Sequence, residues 1–276
     1  MRHNRPHVED IRAKKRRGEK LSMLFVTSLD EAAAACEAGI DILSIEAKDF
    51  SPEMREAAGS CFVQIGLTPP TKGTVDGNPL VTAEDFLRAA YRYTTLGGDC
   101  FYCAASFDIQ KAMCDNHLPI VAHVGLIPSY ITWTGWRAVG KTASEALAMW
   151  SQLKRLEAVG CFAVELEVVP DRIAEFFARN TSMIYFSLGS GSGGDVQYLF
   201  AEDVLGYGRT RLPRHAKAYR NFKEEFERLN RERIAAFREF RSDIRRGAYP
   251  APENTVAIAD AEFSTFLEKA KASDRG

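Results

Sequence analysis

The chain has 276 residues, of which 46% are hydrophobic and 26% charged, as in an ordinary globular protein. This composition excludes an intrinsically disordered chain, a collagen-like repeat and a small disulfide-stapled domain. With 36 basic and 37 acidic residues the net charge is −1, so we expect neither a nucleic-acid nor a membrane partner. The sequence has no apolar run of transmembrane length and no apolar leader, and we expect a cytoplasmic protein.

The predicted elements repeat one pattern along the chain. A helix-type segment ends at glycine, a short apolar run follows, and a capped helix start comes next. Near-continuous apolar strands that alternate with helices indicate parallel strands covered on both faces. The apolar runs are residues 22–27, 40–46, 60–67, 99–104, 118–126, 161–167 and 182–188, with a weaker run at 204–207.

Eight strand–helix units predict an α/β fold, a (β/α)8 TIM barrel, as a single domain over residues 1–276. A doubly wound open sheet remains the alternative, because periodicity does not show whether a sheet closes. Over residues 215–246, apolar residues at mostly three- and four-residue spacing predict one or two amphipathic helices, and residues 215–276 would form a C-terminal helical extension of the barrel.

The ends of the predicted strands carry the candidate catalytic residues, because these ends line the active site of a TIM barrel. Glu46, Tyr102, His123 and Glu167 lie at such ends. A carboxylate there is costly to bury unless it is paired or used, so Glu167 is either catalytic or in an ion pair with a loop. Glu165, two residues earlier, lies on the same strand face one layer deeper, where it could share a proton, bind a cation or pair with His123.

A glycine-rich run, GSGSGG at residues 189–194, follows the seventh apolar run. Successive backbone amides at a helix N-terminus would bind a carboxylate or a phosphate there, whereas the alternative is a flexible turn. We assign Ser187, Gly189 and Ser190 to substrate binding. The single CxxC, from Cys100 to Cys103, has no second pair of cysteines, and we interpret it as buried reduced thiols.

Several segments carry a family resemblance. Residues 121–128 (VAHVGLIP), 166–170 (LEVVP) and 186–191 (FSLGSG) resemble the GHLGLTPQ, LECVP and IGIGAG motifs of the ketopantoate hydroxymethyltransferase family. Residues 212–217 (LPRHAK) are similar to its IPKFAK segment, and the similarity is dense over residues 118–256. The family lies in the phosphoenolpyruvate mutase and isocitrate lyase superfamily, whose (β/α)8 barrels make or break bonds beside a 2-oxo acid.

The resemblance implies an enzyme that forms the enolate of a 2-oxo acid and joins it to a one-carbon or aldehyde electrophile. Glu167 would remove the C3 proton, His123 would lie in the substrate pocket, and methylenetetrahydrofolate would be the co-substrate. The family forms multimers, so a homo-oligomer is expected, with the aromatic C-terminal helix as its contact surface. Two alternatives stay open: a superfamily C–C lyase acting on another 2-oxo or hydroxy acid, and a catalytically silent paralogue that binds a carboxylate.

The resemblance also implies a Mg²⁺ site, with Glu46 at the position of a metal-binding aspartate. The family's other two metal-binding carboxylates align near Gly66 and with Ala104, and its lysine is replaced by Tyr102. Magnesium prefers an octahedral set of oxygen ligands, so one carboxylate makes a weak site. If no metal binds, Tyr102 and His123 are the candidates for stabilising an enolate.

Overall fold

Ten strands are present in the residues that the computed structural model describes, which are 5–68, 74–75, 78–208 and 211–273. They are β1 (Leu21–Phe25), β2 (Ile42–Glu46), β3 (Phe62–Gly66), β4 (Thr74–Val75), β5 (Asn78–Pro79), β6 (Cys100–Tyr102), β7 (Ile120–Gly125), β8 (Ala163–Glu167), β9 (Ile184–Leu188) and β10 (Val196–Phe200). Eight of them form a closed parallel barrel in the order β1-β10-β9-β8-β7-β6-β3-β2, while β4 and β5 form an antiparallel pair. The predicted TIM barrel is confirmed, and the open-sheet alternative is wrong.

Helices connect most of the barrel strands, and serine or threonine begins several of them. Ser28, Ser51, Thr82 and Thr142 each accept a hydrogen bond from the backbone N–H three residues later, which satisfies one of the unpaired donors of the first turn. The helices are α1 (Val8–Arg16), α2 (Leu29–Glu37), α3 (Pro52–Ala57), α4 (Ala83–Thr95), α5 (Phe107–Asp115), α6 (Ile131–Thr134), α7 (Ala143–Ala158), α8 (Asp171–Arg179), α9 (Ala201–Leu205), α10 (Phe222–Arg246) and α11 (Asp260–Ser273).

Two apolar cores follow from the alternation of side chains along each strand. One core lies between the sheet and the surrounding helices and contains, from β8, Val164 and Leu166. The other fills the barrel interior with residues of the opposite strand face, such as Ala163, and it includes Ile11 from α1. The interior is packed below, and in TIM barrels the active site lies toward the carboxyl ends of the strands.

The eighth barrel strand is not where the sequence pattern placed it. It is β10, residues Val196–Phe200, and the predicted strand at 204–207 falls on the end of α9 and the residues after it. Residues 189–195 connect β9 to β10 without a helix. The repeating pattern required a helix between successive strands, so it skipped β10 and took the next short apolar run.

The described chain divides into two units, Met1–Arg220 and Asn221–Gly276. The second unit contains α10 and α11, and the amphipathic pattern predicted for this region forms one long helix in α10. Apolar side chains of α10 are exposed, including Phe237 (70%) and Phe240 (51%). The single-domain assignment and the homo-oligomer stay predictions. Within the described parts of the chain, no helix is both long enough and apolar enough to cross a membrane.

Candidate active site

A cavity of about 440 Å³ lies at the carboxyl ends of the barrel strands. This volume is within the range of small-molecule sites, and the location is that of TIM-barrel active sites. The cavity is lined by the last residues of seven strands, Phe25, Glu46, Gly66, Tyr102, Glu167, Leu188 and Phe200. The structure thus brings Glu46, Tyr102 and Glu167 together, and His123 lines the same cavity.

A layer of polar side chains lies inside the barrel one step below these strand ends. Ser44 is the register partner of Gln64, and His123 is the register partner of Glu165. All four are at most 5% exposed. Barrel interiors are normally filled with branched apolar side chains, so four buried polar groups in one layer indicate a functional site.

Glu165 is a buried carboxyl group whose pKa is raised. Its Oε1 accepts a 2.7 Å hydrogen bond from Gln64 Nε2, and the same amide nitrogen lies 3.1 Å from Ser44 Oγ. Burial raises the pKa of Glu165 to about 7, although the charge of His123 and the Gln64 hydrogen bond oppose the shift. Glu165 therefore titrates near neutral pH, where it can hold or release a proton.

His123 lies between a tyrosine and two carboxylates. Its Nδ1 is 2.8 Å from Tyr102 Oη and 3.8 Å from Glu165 Oε2, and its Nε2 is 3.4 Å from Glu167 Oε2. Burial lowers the pKa of His123, but the neighbouring Glu167 and Glu165 carboxylates outweigh burial and hold it above its usual value. Burial also raises the pKa of Tyr102 well above its ordinary value, so its hydroxyl stays protonated.

Two atoms of this polar layer have unused hydrogen-bonding capacity. His123 Nε2 and Gln64 Oε1 are buried and have no hydrogen-bond partner among the described residues. His123 Nε2 lies within ion-pair distance of Glu167 but without hydrogen-bond geometry. Buried polar atoms without partners are uncommon in proteins, so these two positions indicate where a ligand or a water binds.

The raised pKa of Glu165 predicts how stability depends on pH. A carboxyl group with a higher pKa in the folded state than in the unfolded state makes the protein less stable as the pH rises through that range. From pH 6 to pH 8, Glu165 should lower the free energy of unfolding by about 1 kcal/mol. The raised pKa of His123 acts in the same direction, because its stabilisation is lost above its folded pKa.

Glu165→Gln should therefore reduce the loss of stability between pH 6 and pH 8. Glutamine does not titrate, and removal of the carboxylate also weakens the upward shift of the His123 pKa. Urea unfolding of both proteins at the two pH values measures the difference. An equal loss of stability in the variant would show that Glu165 does not titrate in this range.

The glycine-rich segment does not lead into a helix. Residues 189–195 run directly into β10, so the assumption of a helix N-terminus was wrong. Its glycines instead allow close packing. A Cβ on Gly189 would lie 2.8 Å from the ring of His215, and a Cβ on Gly193 would lie 2.8 Å from Glu175 Cα in α8.

The two serines assigned to substrate binding are engaged inside the fold. Ser187 Oγ donates to the Gly191 carbonyl, and Ser190 Oγ donates to the Leu166 carbonyl while accepting from the Val169 N–H. The described residues that line the cavity do not include Ser187, Gly189 or Ser190. Their assignment to substrate binding stays a prediction, and the hydrogen bonds and close packing described above give them a structural role.

The positions that the resemblance assigns to a Mg²⁺ site lie side by side, but they carry few ligands. Glu46 is the register partner of Gly66, and a Cβ on Gly66 would lie 3.0 Å from Glu46 Oε2. Thr68 Oγ1 donates to the same oxygen, at 3.0 Å. Within the described residues, no three His, Cys, Asp or Glu side chains are arranged to hold a metal ion. Mg²⁺ in proteins is usually held by one or two carboxylates together with waters and substrate oxygens, so a single carboxylate at these three positions is a poor fit for the ion.

Several residues that line the cavity are not singled out by the sequence, among them Tyr198, Ser44 and Lys48. Tyr198 is 4% exposed and belongs to β10, the strand that was misplaced; alternation in residues 196–200 was the available signal. Ser44 lies two residues before the end of β2, so a search restricted to strand ends does not include it. Lys48, on the turn after β2, also lines the cavity, and its Nζ lies 3.8 Å from Asp49 Oδ2.

The chain is similar to known proteins in sequence and in fold. The sequence model of the family described as ketopantoate hydroxymethyltransferase matches residues 101–252, which is more than half of the chain. A 3-methyl-2-oxobutanoate hydroxymethyltransferase of Enterococcus faecalis is 31% identical over 154 residues, which are 55% of this chain and 54% of that relative. An enzyme of the same name from Frankia casuarinae is 29% identical over 271 residues, covering 90% of this chain and 87% of the relative.

Among solved structures, a Burkholderia cenocepacia protein named as a lyase/mutase has a similar fold. Its TM-score is 0.51 at 12% identity, and the alignment covers 95% of each chain. At this identity the similarity concerns the fold alone.

Proposed function

Because this chain belongs to the ketopantoate hydroxymethyltransferase family, we propose that it is a transferase that converts a small 2-oxo acid into its enolate and joins it to a one-carbon unit. The family match confirms the resemblance seen in the motifs. The names of the relatives support 3-methyl-2-oxobutanoate as the acid. Methylenetetrahydrofolate is the one-carbon donor that the resemblance of the motifs implies. The observation that carries this proposal is the pairing of Glu167 with the buried His123 at the edge of the cavity.

Glu167 acts as the base in this proposal. Its side chain is 12% exposed and lines the cavity, so it is reachable by a small ligand, whereas Glu165 is held deeper by Gln64. Glu167 takes the C3 proton, and the electrons of the C–H bond form the C2–C3 double bond while the carbonyl electrons move to oxygen. Lys48 at the rim of the cavity would attract the carboxylate of the acid.

The enolate carbon then forms the new bond. When formaldehyde is the electrophile, the C2–C3 π electrons form the new bond from C3 to the aldehyde carbon while the enolate oxygen re-forms the C2 carbonyl. The carbonyl π electrons of formaldehyde move to its oxygen, which takes the proton held by Glu167. The product is the hydroxymethylated acid. No oxidant or reductant is needed in either step.

The test follows proton exchange at C3 in D2O by proton NMR. With wild-type protein, the C3 signal of 3-methyl-2-oxobutanoate should disappear faster than without protein, and its methyl doublet should collapse to a singlet. Addition of formaldehyde should give the hydroxymethylated acid. The matched control ligand is 3,3-dimethyl-2-oxobutanoate, which has no C3 hydrogen and should bind without exchange or product.

Calorimetry on the same samples separates binding from chemistry. If the acid binds but neither exchanges nor reacts, the protein is a carboxylate-binding paralogue and the proposed transferase activity is wrong.

A further inference from the structure

The positive charge available in the cavity is limited, and this bears on how an enolate could be stabilised. Of the described residues that line the cavity, Glu46, Asp49, Glu165 and Glu167 are acidic, and Lys48 and His123 are basic. An enolate adds one more negative charge, which requires donors or cations where that charge develops. No group of three metal-binding side chains occurs among the described residues, so these residues would hold a divalent ion only weakly.

We propose that the imidazolium of His123, hydrogen-bonded to Tyr102, supplies the positive charge that stabilises the enolate, so that the reaction does not require a divalent metal ion. This inference rests on the proposed enolate chemistry. It differs from the metal-dependent site that the family resemblance implies, because two of the three carboxylate positions are Gly66 and Ala104 in this chain.

The surroundings of His123 favour its charged form. From β8, Glu165 and Glu167 place carboxylate oxygens 3.8 Å and 3.4 Å from its two ring nitrogens, and from β6, Tyr102 places its hydroxyl at 2.8 Å. Two carboxylates beside one imidazole favour the imidazolium, and they offset the cost of burying it. The ring is 3% exposed, so water screens its charge only weakly.

The hydrogen-bond directions also suit an enolate oxygen. In the imidazolium, Nδ1–H donates to Tyr102 Oη, which leaves the tyrosine O–H free to donate to a ligand in the cavity. His123 Nε2 makes no hydrogen bond among the described residues, although Glu167 Oε2 lies 3.4 Å away, so its N–H can donate to a second ligand oxygen. Tyr102 lines the cavity and stays protonated because burial raises its pKa.

Charge is balanced in the proposed step. The C3–H bond breaks, its proton goes to Glu167, and its electrons form the C2–C3 double bond. The carbonyl electrons move to oxygen, and the O–H of Tyr102 and the N–H of His123 donate hydrogen bonds to this negatively charged oxygen. Glu167 loses its charge as the oxygen gains one, so the number of charges near His123 stays constant.

The first experiment measures the metal dependence of C3 exchange in the wild-type protein. Exchange of 3-methyl-2-oxobutanoate in D2O is followed after treatment with EDTA, and again with added MgCl2. We expect rates within about twofold of each other. A loss of exchange in EDTA that Mg²⁺ restores would overturn this inference and leave the proposed function standing. Absence of exchange under every condition would instead overturn the proposed function, and this inference with it.

The second experiment tests the charge of His123. His123→Asn keeps a polar side chain but removes the cation, and it should lower the exchange rate by about 10²- to 10³-fold with no recovery in Mg²⁺. Tyr102→Phe should also lower the rate, but by less than His123→Asn, because the imidazolium remains. Tyr93→Phe, at a buried tyrosine of the outer core, is the matched control and should leave the rate unchanged. Wild-type rates in His123→Asn would contradict the proposal.

The pH profile distinguishes a charged His123 from a structural one. The exchange rate should fall as the pH rises through the His123 pKa, and Glu165→Gln should move this fall to lower pH because one stabilising carboxylate is gone. A fall at the same pH in both proteins would overturn the assignment of charge to His123.

Discussion

Glu167→Gln should lower the rate of C3 proton exchange by about 10²- to 10⁴-fold, which is the usual contribution of a general base. Glutamine keeps the length of the side chain and its hydrogen-bonding reach beside His123, but it cannot accept the proton. The effect should appear in the exchange rate rather than in the affinity for the acid. Proton NMR measures the rate, and calorimetry measures the affinity on the same samples.

Glu46→Gln is the matched variant for this prediction. Glu46 is another carboxylate that lines the cavity, and its Oε2 accepts a hydrogen bond from Thr68. If Glu167 is the base, Glu46→Gln should retain most of the exchange rate. Equal losses in the two variants would mean that the reaction depends on the overall charge of the cavity rather than on one base.

Gly125→Ala should destabilise the protein by about 2–5 kcal/mol and also reduce exchange. Gly125 ends β7 with φ +102, a region that L-residues rarely adopt, at a cost of about 1–2 kcal/mol. A Cβ there would lie 2.3 Å from the carbonyl oxygen of Glu167 and 2.8 Å from Val169 Cγ2, and such overpacking costs about 1–3 kcal/mol more. Because the contact is with the backbone of Glu167, relief of the clash must move the proposed base.

Gly135→Ala separates the cost of the backbone conformation from the cost of the clash. Gly135 also has positive φ, at +67, but a Cβ there would meet no atom within 4 Å. Its φ of 67 with ψ of 173 is a conformation that is essentially restricted to glycine, so the substitution should cost about 1–3 kcal/mol and leave exchange unchanged. Urea unfolding gives both stabilities. Equal free energies of unfolding in the two variants would show that the contact between Gly125 and the Glu167 backbone does not contribute to the loss of stability.

Much of the fold could be predicted because each barrel strand leaves a local signal. Apolar runs bounded by glycine and capped helix starts depend on neighbours in sequence, and seven of the eight strands were found this way. The strand β10 was missed because no helix precedes it and because Gln197 interrupts its apolar run with an exposed side chain. A rule based on strand–helix alternation fails where the connection is a short glycine-rich segment.

The candidate site was predictable to the extent that it lies at strand ends. Glu46, His123 and Glu167 were singled out on that basis, and the structure places them in one cavity. The partners of His123 and Glu165 depend on the register between strands, which a single sequence does not contain. The hydroxyl of Ser190 likewise hydrogen-bonds to the backbone of Leu166 and Val169, which are distant in sequence. These partners are not visible in the sequence, where a serine beside glycines indicates a ligand-binding turn.

The direct connection between β9 and β10 has a consequence for the order of folding. Val196 pairs with Phe186, ten residues earlier, on one side, and with Leu21, 175 residues earlier, on the other. Since the entropy of loop closure grows with the logarithm of loop length, the second pairing costs about 2.5 kcal/mol more than the first. The strand β10 should therefore join β9 early, and the seam between β1 and β10 should be the last to close and the first to open.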